Sequence, residues 1–200
     1  MHVYFLIDRS GSMQGRWDET LGAVNGYVSS LSEGGDIAGM RVSVAFFDGN
    51  EPFALVRDDK ALKKWKPLTD ADATPRGMTP LFDAIGQLSA LVAEDAPEKA
   101  TVVVVTDGNE NSSTEMNAKT AKAAFDRMRK QGFDVVFLGA DFDAFDQAAS
   151  VGTSREHTLN MTEDNYAPAM AVLSKRTRSY AASGKVESFS EADRAAARGE

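Results

Sequence analysis

Four consecutive valines, Val102–Val105, inside the stretch KATVVVVTDG constrain this chain more than any other feature. A strand with one solvated face alternates apolar and polar residues. An unbroken β-branched run instead needs cover on both faces, which a parallel sheet between two helix layers provides. Two more runs share this character, HVYFLID at residues 2–8 and FDVVFLGA at 133–140. A weaker one, EHTLN, lies at 156–160.

Helical periodicity fills the intervals. Trp17, Leu21, Val24, Tyr27 or Val28, and Leu31 form one stripe, which EGGD at 33–36 should end. Leu81, Ile85, Leu88 and Val92 form a second after the Thr79-Pro80 pair. Ala121, Phe125 and Met128 mark the inner face of a helix expected over 114–130, and a short helix is expected at 143–151. Tyr166, Met170, Leu173, Thr177 and Tyr180 mark a long last helix. RVSVAFF and PFALVR flank DGNE, the signature of an antiparallel hairpin with an Asp-Gly turn. Residues 60–78 read as a short helix followed by a long loop.

Strands alternating with helices, with one hairpin inserted, predict an α/β fold. It is doubly wound, with a mostly parallel central sheet, one antiparallel edge strand from the hairpin, and helices on both faces. No linker divides the chain, so residues 1–182 form one domain. The polar, alanine-rich extension 183–200 is expected to fray.

Composition narrows the function. A formal net charge of -8 argues against general nucleic-acid or anionic-membrane binding. The absence of cysteine removes disulfides, thiolate metal sites and cysteine nucleophiles, and two histidines leave little for zinc. No stretch approaches the ~20 apolar residues of a membrane span. No basic leader precedes the first apolar run, so the expected setting is reducing and cytoplasmic.

Polar clusters sit where such folds bind ligands, beyond the carboxyl ends of strands. They are DRSGS after the first strand, GMTP before a helix, and TDGNEN after the valine run. Asp8, Ser10, Ser12, Thr79 and Asp107 offer only carboxylates and hydroxyls, donors that suit Mg²⁺, Mn²⁺ or Ca²⁺. Hydroxyl ligands leave much of the cation's charge unneutralised, so it attracts a carboxylate from outside. Local roles compete at each position. Ser12 reads equally as a helix N-cap, Thr79-Pro80 as a cap with proline at the first helical position, and Asp107-Gly108 as a turn.

Together these motifs resemble the von Willebrand factor A (VWA) family and its metal-ion-dependent adhesion site (MIDAS). That site carries D-x-S-x-S after the first strand, a later threonine, and an aspartate after the fourth strand. Here these are DRSGS, MTPLFDAI and VVVVTDG, and the resemblance covers roughly residues 2–182. It implies that Ser10 and Ser12 bind the metal directly and that Thr79 does so directly or through water. Asp8 and Asp107 would hold coordinating waters, and an aspartate or glutamate of a partner protein would complete the sphere. It also implies a stand-alone intracellular bacterial or phage-type member, working beside an AAA+ ATPase or in a stress-response or phage-related assembly. In integrin-like members the site is coupled to movement of a C-terminal helix, here the one carrying Tyr166–Tyr180.

Arg9, Met13, Asn109, Glu110 and Asn111 adjoin these motifs and are expected to form the rim that meets the partner. Asp141, Asp143 and Asp146 read as acids favoured by a helix N-terminus rather than as a second cation site. His157 reads as structural, and Lys175, Arg176 and Arg178 as a solvated basic face. For catalysis the chain lacks a G-x-S-x-G elbow, a phosphate-binding G-x-x-x-x-G-K-[ST] loop and a second acid at position 10. A binding module is therefore expected, with metal-assisted phosphoester hydrolysis and a purely structural role as the alternatives.

Overall fold

The computed structural model describes residues 1–33, 39–140, 143–162 and 165–200. Six strands form one sheet: β1 (His2–Asp8), β2 (Arg41–Phe47), β3 (Ala54–Ala61), β4 (Ala100–Thr106), β5 (Asp134–Ala140) and β6 (Thr158–Met161). Their spatial order is β3-β2-β1-β4-β5-β6. Every pairing is parallel except that of the hairpin partners β2 and β3. The antiparallel strand lies at the edge, as the DGNE turn requires.

Among the described residues six α-helices surround the sheet: α1 (Trp17–Glu33), α2 (Leu81–Asp95), α3 (Ala118–Lys130), α4 (Asp143–Ser150), α5 (Tyr166–Ser183) and α6 (Glu191–Ala197). The alternation of side chains along β1 divides the core. Val3, Phe5 and Ile7 join the apolar stripes of α1 and α5, whereas Tyr4 and Leu6 join those of α2 and α3. β1 and β4 are buried along their whole lengths, so the valine run is covered on both faces.

Several boundaries depart from expectation. α3 starts at Ala118 rather than Thr114, because the backbone N–H groups of Thr114, Glu115 and Met116 donate to the Asp83 carboxylate in a separate turn. In the 60–78 segment β3 runs on to Ala61, and only one 3₁₀ turn, Leu62–Lys64, follows. The loop beyond it is pinned: the Asn25 side chain exchanges two hydrogen bonds with the backbone of Leu68. Beyond Glu33, the expected EGGD break lies outside the described residues.

The largest departure is at the end of the chain, where α6 replaces the frayed tail. Gly184, at φ +70°, closes α5 in a left-handed cap, a conformation glycine adopts without strain. Ser190 and Asp193 then form a reciprocal capping box at the start of α6. Phe189 is buried beneath the Arg176 guanidinium, 4.2 Å from its ring centroid, and Arg194 donates to the carbonyls of Phe189 and Arg155. One aromatic anchor and two arginines hold a segment whose composition alone suggests disorder.

Candidate metal centre

β1 and β4 are neighbours although their positions in sequence are far apart, and the connections from them leave in opposite directions. Their carboxyl ends therefore open a cleft. Ile7 pairs with Val105, which sets Asp8 level with Thr106 and places the DRSGS and TDG loops side by side. Asp8 is fully buried. Its Oδ1 accepts the Ser10 N–H at 2.7 Å, and its Oδ2 accepts the Thr106 hydroxyl at 2.6 Å. Burial pushes its carboxyl up to about 6, against the pull of the Thr106 and Ser10 hydrogen bonds.

The other oxygens gather beside it. Ser10 and Ser12 place their Oγ atoms 3.1 Å apart, and the Ser12 hydroxyl donates to Asp107 Oδ1 at 2.7 Å. A methyl group on Gly108 would meet Thr79 Oγ1 at 3.1 Å, Ser12 Oγ at 3.4 Å and Asp8 Oδ2 at 3.6 Å. Three loops thus aim their oxygens at one small volume. Backbone hydrogen bonds stitch them there: Gly11 N–H to the Gly77 carbonyl, Arg76 N–H to the Arg9 carbonyl, and Asn111 N–H to the Thr79 carbonyl.

The local alternatives fare poorly. The residue before α2 is Pro80 rather than Thr79, and the first-turn N–H groups of Phe82 and Asp83 go to the Glu110 carboxylate and the Ser113 hydroxyl. The Ser12 hydroxyl is turned to Asp107, and α1 begins only at Trp17, after a 3₁₀ turn. These oxygens face one another rather than a helix end. Among the described residues no three of His, Cys, Asp and Glu cluster, as expected where hydroxyls make up most of the donors.

Two expected rim residues are corrected. Arg9 is buried and turns away, donating to Asp48 at 2.5 Å and to Glu51 at 2.6 Å. Arg76 adds a second guanidinium to the same two carboxylates. Although burial opposes it, the Asn50 N–H and these two arginines hold the Asp48 carboxyl below the usual range. The cluster ties the hairpin turn to the loop that carries Thr79. Met13 is wholly buried in the core under α1. Asn109 and Asn111 are exposed, but Asn111 Oδ1 also accepts the Thr79 N–H at 2.9 Å. The Glu110 carboxylate is occupied by the N–H groups of Phe82, Ser112 and Ser113 and the Ser113 hydroxyl.

Reasoning from sequence missed Thr106, whose hydroxyl holds Asp8, and Met78, whose side chain is 52% exposed beside Thr79. Thr106 was within reach, since it starts the TDG triplet. Met78 was not, because only the loop geometry turns it outward. Asp141 and the side chain of Asp143 lie outside the described residues. His157 is structural, with Nδ1 2.7 Å from Arg176 Nη2. Arg176 is not on a solvated face: it is buried and pairs in bidentate fashion with fully buried Asp134.

The sheet order and the cleft define a Rossmann-like α/β sandwich. The model of the von Willebrand factor type A domain matches residues 2–174, so the chain belongs to that family. No curated protein matches it. Solved structures share the fold at low identity. The pilus adhesin SpaC of Lactobacillus rhamnosus GG has a TM-score of 0.72 at 14% identity, over 88% of this chain and 29% of SpaC. The VWF domain of the type V pilus tip protein Mfa5 of Porphyromonas gingivalis scores 0.67 at 11% identity, over 88% and 94%. Proximal thread matrix protein 1 of the mussel byssus, in a structure with a zinc-occupied MIDAS motif, scores 0.62 at 16% identity, over 87% and 44%. The chain thus spans under half of the byssus protein and under a third of SpaC. No helix among the described residues is long and apolar enough to cross a membrane.

Proposed function

We propose that this domain is a divalent-cation-dependent protein-binding module. Ser10, Ser12 and Thr79 would hold the cation through hydroxyls, with Asp8 and Asp107 anchoring its waters. Mg²⁺ is the first choice, with Mn²⁺ or Ca²⁺ as substitutes. A partner's aspartate or glutamate completes the coordination. The observation that carries this reading is the convergence of Thr79, Ser12 and Asp8 oxygens on the space beside Gly108. Hard oxygen donors without thiolate or imidazole fit such a cation. The zinc-occupied MIDAS of the byssus protein is a precedent in the same fold.

Binding is favoured over catalysis by where the bases lie. His2 begins β1, at the opposite end of the strand from Asp8, and His157 is committed to Arg176. Neither serves as a general base at the cleft. A cytoplasmic setting, and a place beside an AAA+ ATPase or in a stress-response or phage-related assembly, follow from the family resemblance and belong to the same reading.

Titration calorimetry and thermal melts with Mg²⁺ and Mn²⁺ test it. Wild type should take up one ion and melt higher, and Asp8→Asn and Ser12→Ala should lose both effects while folding normally. Capture of an acidic partner should need metal and fail in EDTA. Absence of uptake by the wild type would falsify the reading.

A further inference from the structure

Asp107 has a second partner that the sequence motifs do not include. Its Oδ1 faces the Ser12 hydroxyl, but its Oδ2 lies 3.4 Å from Nε of Arg16. Both side chains are largely buried, 15% and 3% exposed for Arg16 and Asp107. Arg16 ends the 3₁₀ turn that begins at Gly11, and its carbonyl accepts the Thr20 hydroxyl at 2.8 Å. The backbone of Arg16 is therefore held at the start of α1, and its side chain is mostly covered rather than extended into solvent. A permanent positive charge stands against one of the two site carboxylates.

We propose that Arg16 is a specificity-determining residue of the metal centre, lowering its affinity for the cation and raising the loaded centre's affinity for a carboxylate. The inference rests on the metal-dependent reading above and deepens it. Asp8 and Asp107 together balance a divalent cation, and the three hydroxyls add no charge. Without Arg16 the loaded cluster is neutral, and an incoming carboxylate makes it negative beside two side-chain carboxylates that are themselves buried. With Arg16 one positive charge is left over, and the incoming carboxylate cancels it. The guanidinium also draws Asp107 Oδ2 toward itself at 3.4 Å, which discourages that carboxylate from closing on the ion. Arginine suits this role because it stays charged at every working pH and does not serve as a metal ligand.

A purely structural ion pair makes a different prediction. If Arg16 only shaped the loop, its loss would weaken cation and carboxylate binding together. The charge argument requires opposite signs.

The test compares wild type with Arg16→Gln, Arg16→Met (which keeps the stem's packing) and Arg16→Lys (which keeps the charge). Mn²⁺ alone is titrated by calorimetry, and circular dichroism melts establish the fold. Glutarate is then added to the Mn²⁺-loaded proteins, with displacement of bound water read by water-proton relaxation. Both neutral variants should bind Mn²⁺ at least about fivefold more tightly, as removal of a like charge several ångströms away implies. They should need several-fold more glutarate, and Arg16→Lys should follow the wild type. Unchanged or weaker Mn²⁺ binding by the neutral variants overturns the proposal, as does a lysine variant that behaves like the glutamine one. If wild type binds no Mn²⁺, the metal reading itself falls; if it binds and the neutral variants bind no better, only the role of Arg16 falls.

Discussion

Residue 108 shows how small the tolerances are at the cleft. Its α-carbon carries only hydrogen, and the space a β-carbon would take is the one toward which Thr79, Ser12 and Asp8 direct their oxygens. Gly108 is not among the residues with positive φ, so alanine suits its backbone. The effect of Gly108→Ala is therefore steric and local. Metal uptake measured by calorimetry should drop at least about tenfold, while the melting temperature without metal moves little, since a single methyl in an open cleft costs far less than one forced into a packed core. Normal uptake would mean that the cation's position lies elsewhere. Thr106 follows the same logic at the opposite wall, where one hydroxyl orients a carboxylate that burial would otherwise leave poorly held.

At the level of elements, two carboxylates lock α2 against the loop after β4. Asp83, in the first turn of α2, accepts the N–H groups of Thr114, Glu115 and Met116, and Glu110 in that loop reaches back to the N–H of Phe82. Each carboxylate therefore satisfies donors on the other's element. Because Thr79 lies two residues before α2 and Asp107 begins the loop, this reciprocal clasp sets the distance across the cleft. Asp83 is buried, so Asp83→Ala leaves three N–H donors without their acceptor and should destabilise the fold by about 2–4 kcal/mol. Urea denaturation checks this. Calorimetry on the folded variant should show weaker Mg²⁺ uptake as Thr79 and Asp107 lose their spacing.

The strands and apolar stripes were legible in sequence because their signals are local. Val102–Val105 are β-branched in any context, and Leu81, Ile85, Leu88 and Val92 repeat at the helical period whatever they pack against. The five oxygen-bearing residues were legible for another reason: side chains of one chemical type recur at loop positions that an α/β fold brings to one end. Arg9 and Met13 misled because adjacency in sequence says nothing about which way a side chain turns. Arg9 is drawn off by Asp48 and Glu51, acids contributed by a hairpin nearly forty residues away.

For the whole molecule, acid should loosen the fold through its two histidines. Burial lowers the pKa of His2 to about 4, with Asp95 opposing the shift, and burial together with Arg176 lowers that of His157. The folded state thus holds these protons less tightly than the unfolded chain. Their contribution is intact above pH 6.5 and declines as the pH falls toward 4, His2 having the larger share. Melting temperatures recorded across this window should fall for wild type and fall less for His2→Gln. An equal decline in both would place the acid sensitivity elsewhere. His157 ends a 3₁₀ turn, Arg155–His157, and lies beside Asp134 of β5 and Arg176 of α5, which covers Phe189, so protection of residues 189–197 from hydrogen exchange should fade over the same range.

By itself the sequence determined that this chain builds a helix-covered parallel sheet and that its strand ends carry hard oxygen donors. Periodicity, β-branching and side-chain chemistry are properties of residues and survive any arrangement. Only the tertiary structure decided which oxygens share a volume, that Arg16 stands against Asp107, and that the last helix is bound rather than loose. Those outcomes depend on contacts between segments distant in the chain, where burial and charge pairing select one orientation from several that local preference allows equally.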